Sequence, residues 1–209
     1  MRPTAARCAA VCGLVLGAVS VSGCASLFES APVDYYVLSA APADRSVAPL
    51  GAGPIFAVAP VRVPQYLGQR WIVTWTGENE IDFAKNDQWG SPLSDDIASV
   101  LGENLSAMIP SDRVVQLPVS ASVPVDYEVR VEIVGFERQP DGSVLLLARW
   151  TVFGDGGRRL FAMSRSRFRG NDVPIDYPSI TKAMSSLLAE LSREIASTLR
   201  TAPPSKPLS

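Results

Sequence analysis

The sequence predicts an α+β fold, in which two amphipathic helices pack on a mostly antiparallel sheet. Residues 127–169 alternate apolar and polar side chains and are interrupted only by short turn-forming segments, which is typical of an antiparallel meander. Two further segments repeat apolar residues at helical spacing, and each begins at a proline that suits the first turn of a helix. Strand-like runs separate the two helical segments, which favours α+β over an alternating α/β order.

The first half of the chain predicts short strands and one hairpin. Tyr35–Leu38 is a short β-prone run, and Ile55–Val63 predicts a strand. Within that strand Pro60 indicates either an edge position or a bulge. Trp71–Thr76 and Glu80–Ala84 flank a Gly-Glu-Asn turn and predict a hairpin.

The first helix is predicted to follow Ser91, which can cap it, and Pro92, which suits its first position; Pro110 ends it. Asp95 and Asp96 are expected near its positive end, facing solvent. Its apolar stripe consists of Ile97, Leu101, Leu105, Met108 and Ile109.

The second half of the chain predicts a strand at Arg113–Leu117, a three-stranded meander and the second helix. The meander strands are Tyr127–Arg138, Ser143–Phe153 and Arg159–Arg169, and the Gly154–Gly157 segment between the last two is read as a turn. The second helix begins at Tyr177-Pro178 and ends near Leu199. Its apolar stripe consists of Ile180, Met184, Leu187, Leu188, Leu191, Ile195 and Leu199.

The N-terminus predicts an export signal. Met1–Arg7 carries two arginines, and Cys8–Ser22 is a run of about fifteen small or apolar residues, shorter than the roughly twenty that a membrane span needs. The run ends in Val21-Ser22-Gly23-Cys24, which resembles the lipobox of bacterial lipoproteins: an aliphatic residue, two small residues and a cysteine. We therefore expect residues 1–23 to be removed as a signal peptide and the Cys24 thiol to carry lipid as a thioether.

Three parts are predicted after cleavage: a lipidated tether at 24–34, a single α+β domain at 35–201 and a disordered tail at 202–209. The tether can extend at most about 35 Å, so it holds the domain near the bilayer. An aspartate directly after the lipidated cysteine usually signals inner-membrane retention in Gram-negative bacteria. Ala25 stands there instead and favours the outer membrane, with the domain facing the periplasm.

The composition argues against several function classes. The chain has no histidine, and cleavage leaves Cys24 as its one cysteine, so an internal disulfide and triads built on histidine are excluded. Net charge is −2, and it falls to −4 when the two leader arginines are lost, which gives nucleic-acid binding no support. The carboxylates are scattered and lack calcium-loop spacing. We expect no metal, no cofactor and no enzymatic activity; catalysis by two carboxylates alone stays as an alternative.

Aromatic residues form the most informative cluster of the mature chain. Tyr66, Trp71, Trp75 and Trp89 lie within twenty-four residues, and alternation places Trp71 and Trp75 on one strand face. Two interpretations are open. These side chains pack in the core, or they form a patch that contacts a partner or lipid, since tryptophan and tyrosine are enriched at binding hot spots.

Three spaced motifs behind the lipobox carry a family resemblance. They are Tyr35-Tyr36-Val37-Leu38, then Val63-Pro64-Gln65-Tyr66-Leu67, then Trp89-Gly90-Ser91-Pro92-Leu93. Together they resemble the ABC-type transport auxiliary lipoprotein family, over roughly Tyr35–Leu199. The resemblance implies an outer-membrane partner of an MCE-domain transport protein and its membrane permease, in systems thought to move phospholipids or other hydrophobic molecules between the two membranes. It further implies homo-oligomeric rings and no catalytic residues; Cys24 is the one site that transfers by residue.

The leading hypothesis from the sequence is therefore a non-enzymatic adaptor of a lipid-transport system. The alternative is an envelope-assembly lipoprotein that aids lipopolysaccharide or outer-membrane protein insertion. A periplasmic hydrolase is a third class, which loss of activity on replacing a single carboxylate would establish.

Overall fold

A computed structural model describes residues 32–42, 54–109, 113–118 and 124–203. The chain divides into two units, Met1–Pro32 and Val33–Ser209, and every strand and helix below belongs to the second. The predicted signal peptide, Cys24 and most of the predicted tether and tail lie outside the described residues.

The described part of the chain holds eight strands and two helices, so the α+β prediction is confirmed. Most predicted boundaries agree within a few residues, although β4 extends beyond its predicted end. In chain order the elements are β1 (Asp34–Tyr36), β2 (Phe56–Val58), β3 (Trp71–Gly77), β4 (Glu80–Trp89), α1 (Leu93–Met108), β5 (Val114–Gln116), β6 (Tyr127–Arg138), β7 (Val144–Gly154), β8 (Arg159–Gly170) and α2 (Tyr177–Leu199).

The strands form one mixed sheet, and the prediction of a mostly antiparallel sheet is wrong. The pairs β3–β4, β6–β7 and β7–β8 are antiparallel, whereas β1–β4, β2–β5, β2–β6 and β3–β6 are parallel. Antiparallel neighbours are joined by tight turns that the sequence reveals. The parallel neighbours are far apart in the chain, so no local residue marks their pairing.

Strand β6 organises the sheet because three strands pair with it. One edge pairs with β7 along its length. The other edge meets β2 at Tyr127–Val129 and β3 at Arg138. The strand order is β1-β4-β3-β6-β7-β8. Strand β2 lies beside β3 on the same edge of β6, and β5 pairs with the other edge of β2.

Pro60 marks a bulge and not an edge strand. Strand β2 pairs with β5 on one side and β6 on the other, so it has no free edge. From Val58 to Arg62 the chain advances four residues while its partner advances three, from Val129 to Glu132. One extra residue is accommodated where proline cannot donate a hydrogen bond.

The two helices pack on one face of the sheet and bury its core. Ile97, Leu101 and Leu105 of α1 and the apolar stripe of α2 are buried, as the helical spacing predicts. The indole N–H of Trp150 on β7 donates to Ser166 Oγ at 2.9 Å, and Ser166 Oγ lies 2.9 Å from Glu194 Oε1 of α2. Among the described residues, neither helix is both long and apolar enough to cross a membrane.

The start of α1 corrects two expectations. Pro92 occupies the N-cap and no side chain caps the helix, so the prediction that Ser91 caps it is wrong. The Ser91 hydroxyl instead donates to Asp96 Oδ1, and the backbone N–H of Leu38 donates to Asp96 Oδ2 at 3.3 Å. Asp96 is half-buried and ties the segment after β1 to the helix, whereas Asp95 is exposed as expected.

Asp176→Ala is expected to destabilise the fold by about 1 kcal/mol through loss of a helix cap. Asp176 is the N-cap of α2, and its Oδ1 accepts from the Ser179 backbone N–H at 2.8 Å. Urea denaturation of the two proteins measures the difference. Asp176→Asn keeps the acceptor and is the matched control; equal loss in both variants would contradict the cap interpretation.

Candidate functional site

An open groove of about 830 Å³ lies beside the β3–β4 hairpin. Its first wall comes from a turn after Pro64, whose carbonyl accepts from the backbone N–H of Leu67 at 3.0 Å and of Gly68 at 3.1 Å. Leu67 is buried and holds the turn on the core. The groove is lined by Gln65, Tyr66, Gln69, Trp71, Phe83, Ala84 and Lys85.

A register break in the hairpin forms the second wall. Trp71 pairs with Gln88, but Val73 pairs with Phe83, so β4 advances five residues while β3 advances two. The extra residues of β4 bulge and bring Lys85 to the groove. The Trp71 and Phe83 rings meet edge-on, with their centroids 6.3 Å apart.

A buried carboxylate supports the groove from behind. Glu137 is 4% exposed. Its Oε1 accepts from the Trp75 indole N–H at 2.9 Å, and its Oε2 accepts from the Tyr66 hydroxyl at 3.2 Å and from the Phe136 backbone N–H at 2.5 Å. Gln139 Nε2 also donates to Oε1, at 3.3 Å. These bonds fix Tyr66 and Trp75 relative to β6.

Glu137 is buried and forms no ion pair with any described residue, and the electrostatics of this cluster follow from that burial. Loss of solvation raises the pKa of Glu137, and the hydrogen bonds from Phe136, Trp75 and Tyr66 offset part of that rise. Burial, and then the neighbouring Glu137 carboxylate, raise the pKa of the Tyr66 hydroxyl, which stays protonated as a donor. The cluster therefore holds the side chains of Tyr66 and Trp75 in fixed positions.

The four aromatic residues of the predicted cluster separate into two groups. Tyr66 and Trp71 line the groove, and Arg70 lies over the Trp71 ring at 5.1 Å from its centroid. Trp75 is half-buried and bonded to Glu137, and Trp89 is buried in the core. Tyr66 and Trp71 are half-buried like Trp75, but of the four only these two line the groove.

The first and third sequence motifs meet at a packing joint between β1 and the end of β4. Tyr36 of β1 pairs with Trp89 of β4, and the Gly90 N–H donates to the Tyr36 carbonyl at 2.8 Å. The Tyr36 hydroxyl donates to Asp87 Oδ1 at 3.0 Å, and burial together with that carboxylate raises the pKa of Tyr36 to about 12. A Cβ at position 90 would lie 3.1 Å from Val37 Cγ1, which explains the glycine. Most of the motif residues hold the fold together.

Several groove residues were missed by the sequence interpretation. Phe83, Ala84 and Lys85 are brought in by the bulge of β4, which no local signal marks. Glu137 lies in an alternating strand, and the register shift of that strand between Ile133 and Gly135 decides the face on which it lies. Gly135, where a Cβ would lie 3.1 Å from Glu137 Oε1, is the one residue that could have indicated the irregularity.

The groups at the groove offer apolar contact, hydrogen bonds and one positive charge. The groove presents three aromatic rings, two glutamine amides and one ammonium group, and the carboxylate of Glu137 behind it is buried. Among the described residues, no group of three or more acidic side chains is placed to hold a metal ion.

The described residues form an α+β domain with an aromatic groove beside its β3–β4 hairpin. A family model for the ABC-type transport auxiliary lipoprotein component matches residues 36–196, and this chain belongs to that family. The intermembrane transport lipoprotein PqiC of Escherichia coli strain K12 is 23% identical over 192 residues, covering 91% of this chain and 97% of PqiC. This agrees with the resemblance carried by the three motifs.

Two solved structures show the same fold. A crystal structure of an uncharacterized protein superposes with a TM-score of 0.66 at 23% identity, covering 80% of this chain and 99% of that one. A Xanthomonas campestris protein superposes with a TM-score of 0.65 at 12% identity, covering 78% of this chain and 93% of its own.

Proposed function

We propose that this protein is a non-enzymatic adaptor subunit of an MCE-type, ABC-linked transport system, anchored to the outer membrane through acylated Cys24 and facing the periplasm. Such a system moves phospholipids or other hydrophobic molecules between the two membranes. The proposal includes an MCE-domain protein and its permease as partners, and assembly of this chain as a homo-oligomer. Family membership over residues 36–196 carries the proposal, and the name of the relative PqiC supports it.

Physical reasoning supports an adaptor. Exposing an acyl chain to water costs about 0.8 kcal/mol for each CH₂ group, so a lipid that crosses an aqueous compartment needs a sheltered path. That path must meet its target membrane. A domain fixed there by its own lipid raises the local concentration of the docking site, and this task needs no histidine and no free thiol.

The groove is the surface that we assign to this contact. Tyr66 and Trp71 line it, and the buried Glu137 accepts hydrogen bonds from Tyr66 and from Trp75 behind it. Aromatic side chains that are rigid before binding lose little conformational entropy on contact, which makes them effective anchors. Either an apolar side chain of a partner or a lipid acyl chain fits such a surface.

Trp71→Ala is expected to weaken capture of the MCE-domain protein at least tenfold. The experiment crosslinks intact envelopes, purifies the tagged, full-length lipoprotein and identifies its partners by mass spectrometry. Truncating a hot-spot tryptophan removes about 2 kcal/mol or more of binding free energy, which sets the expected size. The matched control is Ile175→Ala, because Ile175 is an apolar side chain that is 76% exposed outside the groove.

Three outcomes separate the hypotheses. Capture of the MCE-domain protein that depends on Trp71 but not on Ile175 supports both the adaptor and the groove. Capture of a β-barrel protein in its place favours the envelope-assembly alternative. Equal capture of the MCE-domain protein by both variants supports the adaptor but places its contact surface outside the groove.

A further inference from the structure

We propose that the outer face of the β7–β8 hairpin binds the surface of an anionic phospholipid bilayer. Antiparallel partners that lie opposite each other share a face of the sheet. The side chains of β7 alternate between a buried face, which packs against the helices, and a face that points away from them. We call the solvent side the outer arginine face, defined by Arg149, Met163, Arg165 and Arg167 together with Leu160.

The charge on this face is unusual for the chain. Strand β8 has four arginines and no acidic residue, whereas the whole sequence has a net charge of −2. Arg169 and Arg159 form ion pairs with Asp141 and with Asp155. Within the described part of the chain, Arg165 and Arg167 have no ion pair, and both are exposed.

The register places like charges side by side. Arg149 on β7 lies directly opposite Arg165 on β8. Like charges at directly opposite positions destabilise a sheet, and a single partner, Glu132 at 3.5 Å from Arg149 and itself half exposed, compensates only one of them. An anion that contacts both guanidinium groups would remove this repulsion, which points to a negatively charged surface as the partner.

Exposed apolar side chains continue the face toward the β7–β8 turn. Met163 is 74% exposed and Leu160 is 55% exposed. They lie opposite Thr151 and Phe153, and Arg130 covers the Phe153 ring at 4.4 Å from its centroid. Arginines on an edge strand can serve to prevent edge pairing, but that role does not explain large apolar groups exposed beside them.

The combination fits a lipid surface better than a polar ligand. Alternate residues of a strand are about 7 Å apart, so Met163, Arg165 and Arg167 present an apolar end followed by two cations in a row. The cations would meet lipid phosphates, and the apolar end would enter the interface. A bilayer is also the partner that the predicted lipid at Cys24 keeps nearby. The proposal adds a second membrane contact and does not depend on the transport role.

The test uses the lipidated, full-length protein in proteoliposomes, with an environment-sensitive fluorophore on Met163→Cys. Once the leader is removed and Cys24 is acylated, the introduced thiol is the only free one. We expect the emission to shift to the blue in vesicles of phosphatidylcholine mixed with phosphatidylglycerol, but not in vesicles of phosphatidylcholine alone. The same label on Ser99→Cys, an exposed position on α1, should report water in both.

Arg165→Gln with Arg167→Gln is expected to lower the association constant of this face for the anionic surface about thirtyfold. Each arginine near such a surface contributes about 1 kcal/mol, and about 1.4 kcal/mol corresponds to a tenfold change. The matched control, Lys182→Gln with Arg193→Gln, removes the same charge from exposed positions of α2 and should change nothing. Equal emission in the two kinds of vesicle overturns the proposal. A blue shift that increases with the density of protein in both kinds of vesicle would also overturn the proposal. That result would assign the face to contact between copies of the chain.

Discussion

Cys24→Ser is expected to remove the protein from the outer membrane and to reduce its labelling by radioactive palmitate to background. A serine hydroxyl cannot take the thioether-linked diacylglyceryl group. Each buried CH₂ contributes about 0.8 kcal/mol to anchoring, so one acyl chain holds a protein marginally and two or more hold it stably. Losing them all removes the anchor. The precursor should also stay uncleaved, because the peptidase acts before a lipidated cysteine.

The measurement is separation of inner and outer membranes, followed by immunoblotting for size and position. Cys12→Ser is the matched control, since Cys12 lies inside the apolar run of the leader and outside Val21-Ser22-Gly23-Cys24. We expect that variant to mature and fractionate normally. A Cys24→Ser protein that is cleaved and sediments with the outer membrane would contradict the lipid anchor and, with it, the proposed place of the adaptor.

Local patterns predicted the elements of this fold well, and its connections poorly. The boundaries of β6 and α2 are those that alternation and helical spacing indicate, because each buries a regular apolar stripe. The pairing of β1 with β4, or of β2 with both β5 and β6, is set by packing between segments that are distant in sequence. No residue within those short strands specifies whether the neighbour runs parallel.

The groove shows the same division between local and distant causes. Tyr66 and Trp71 could be proposed from composition, since aromatic residues are both core formers and contact residues. The opposite wall of the groove is formed by the bulge of β4, and the Tyr66 hydroxyl is held by Glu137, which lies 71 residues further along the chain. A carboxylate in an alternating strand is normally solvated, so its burial became visible only with the tertiary structure.

Glu137→Ala is expected to lower the free energy of unfolding by about 3 kcal/mol, and Tm by roughly 9 °C. The substitution leaves the Trp75 indole, the Tyr66 hydroxyl and the Phe136 backbone N–H without their acceptor. A buried donor left unpaired costs about 1–3 kcal/mol, and relief from burying the carboxylate offsets part of that sum. Urea and thermal denaturation measure the loss. Glu132→Ala is the matched control: it removes an exposed glutamate of the same strand and should cost under about 1 kcal/mol.

Glu137→Gln removes the charge but keeps a hydrogen-bond acceptor. We expect its stability to depend on pH differently from that of the native chain. Because burial raises the pKa of Glu137 in the folded protein, the folded state binds a proton more tightly than the unfolded chain. This group therefore makes the protein less stable as pH rises from the ordinary glutamate pKa through the raised value. The glutamine variant keeps one acceptor oxygen but has no proton to lose. Its free energy of unfolding should therefore rise relative to that of the native chain as pH rises through that window. A difference that stays constant with pH would contradict a raised pKa of Glu137 in the folded protein.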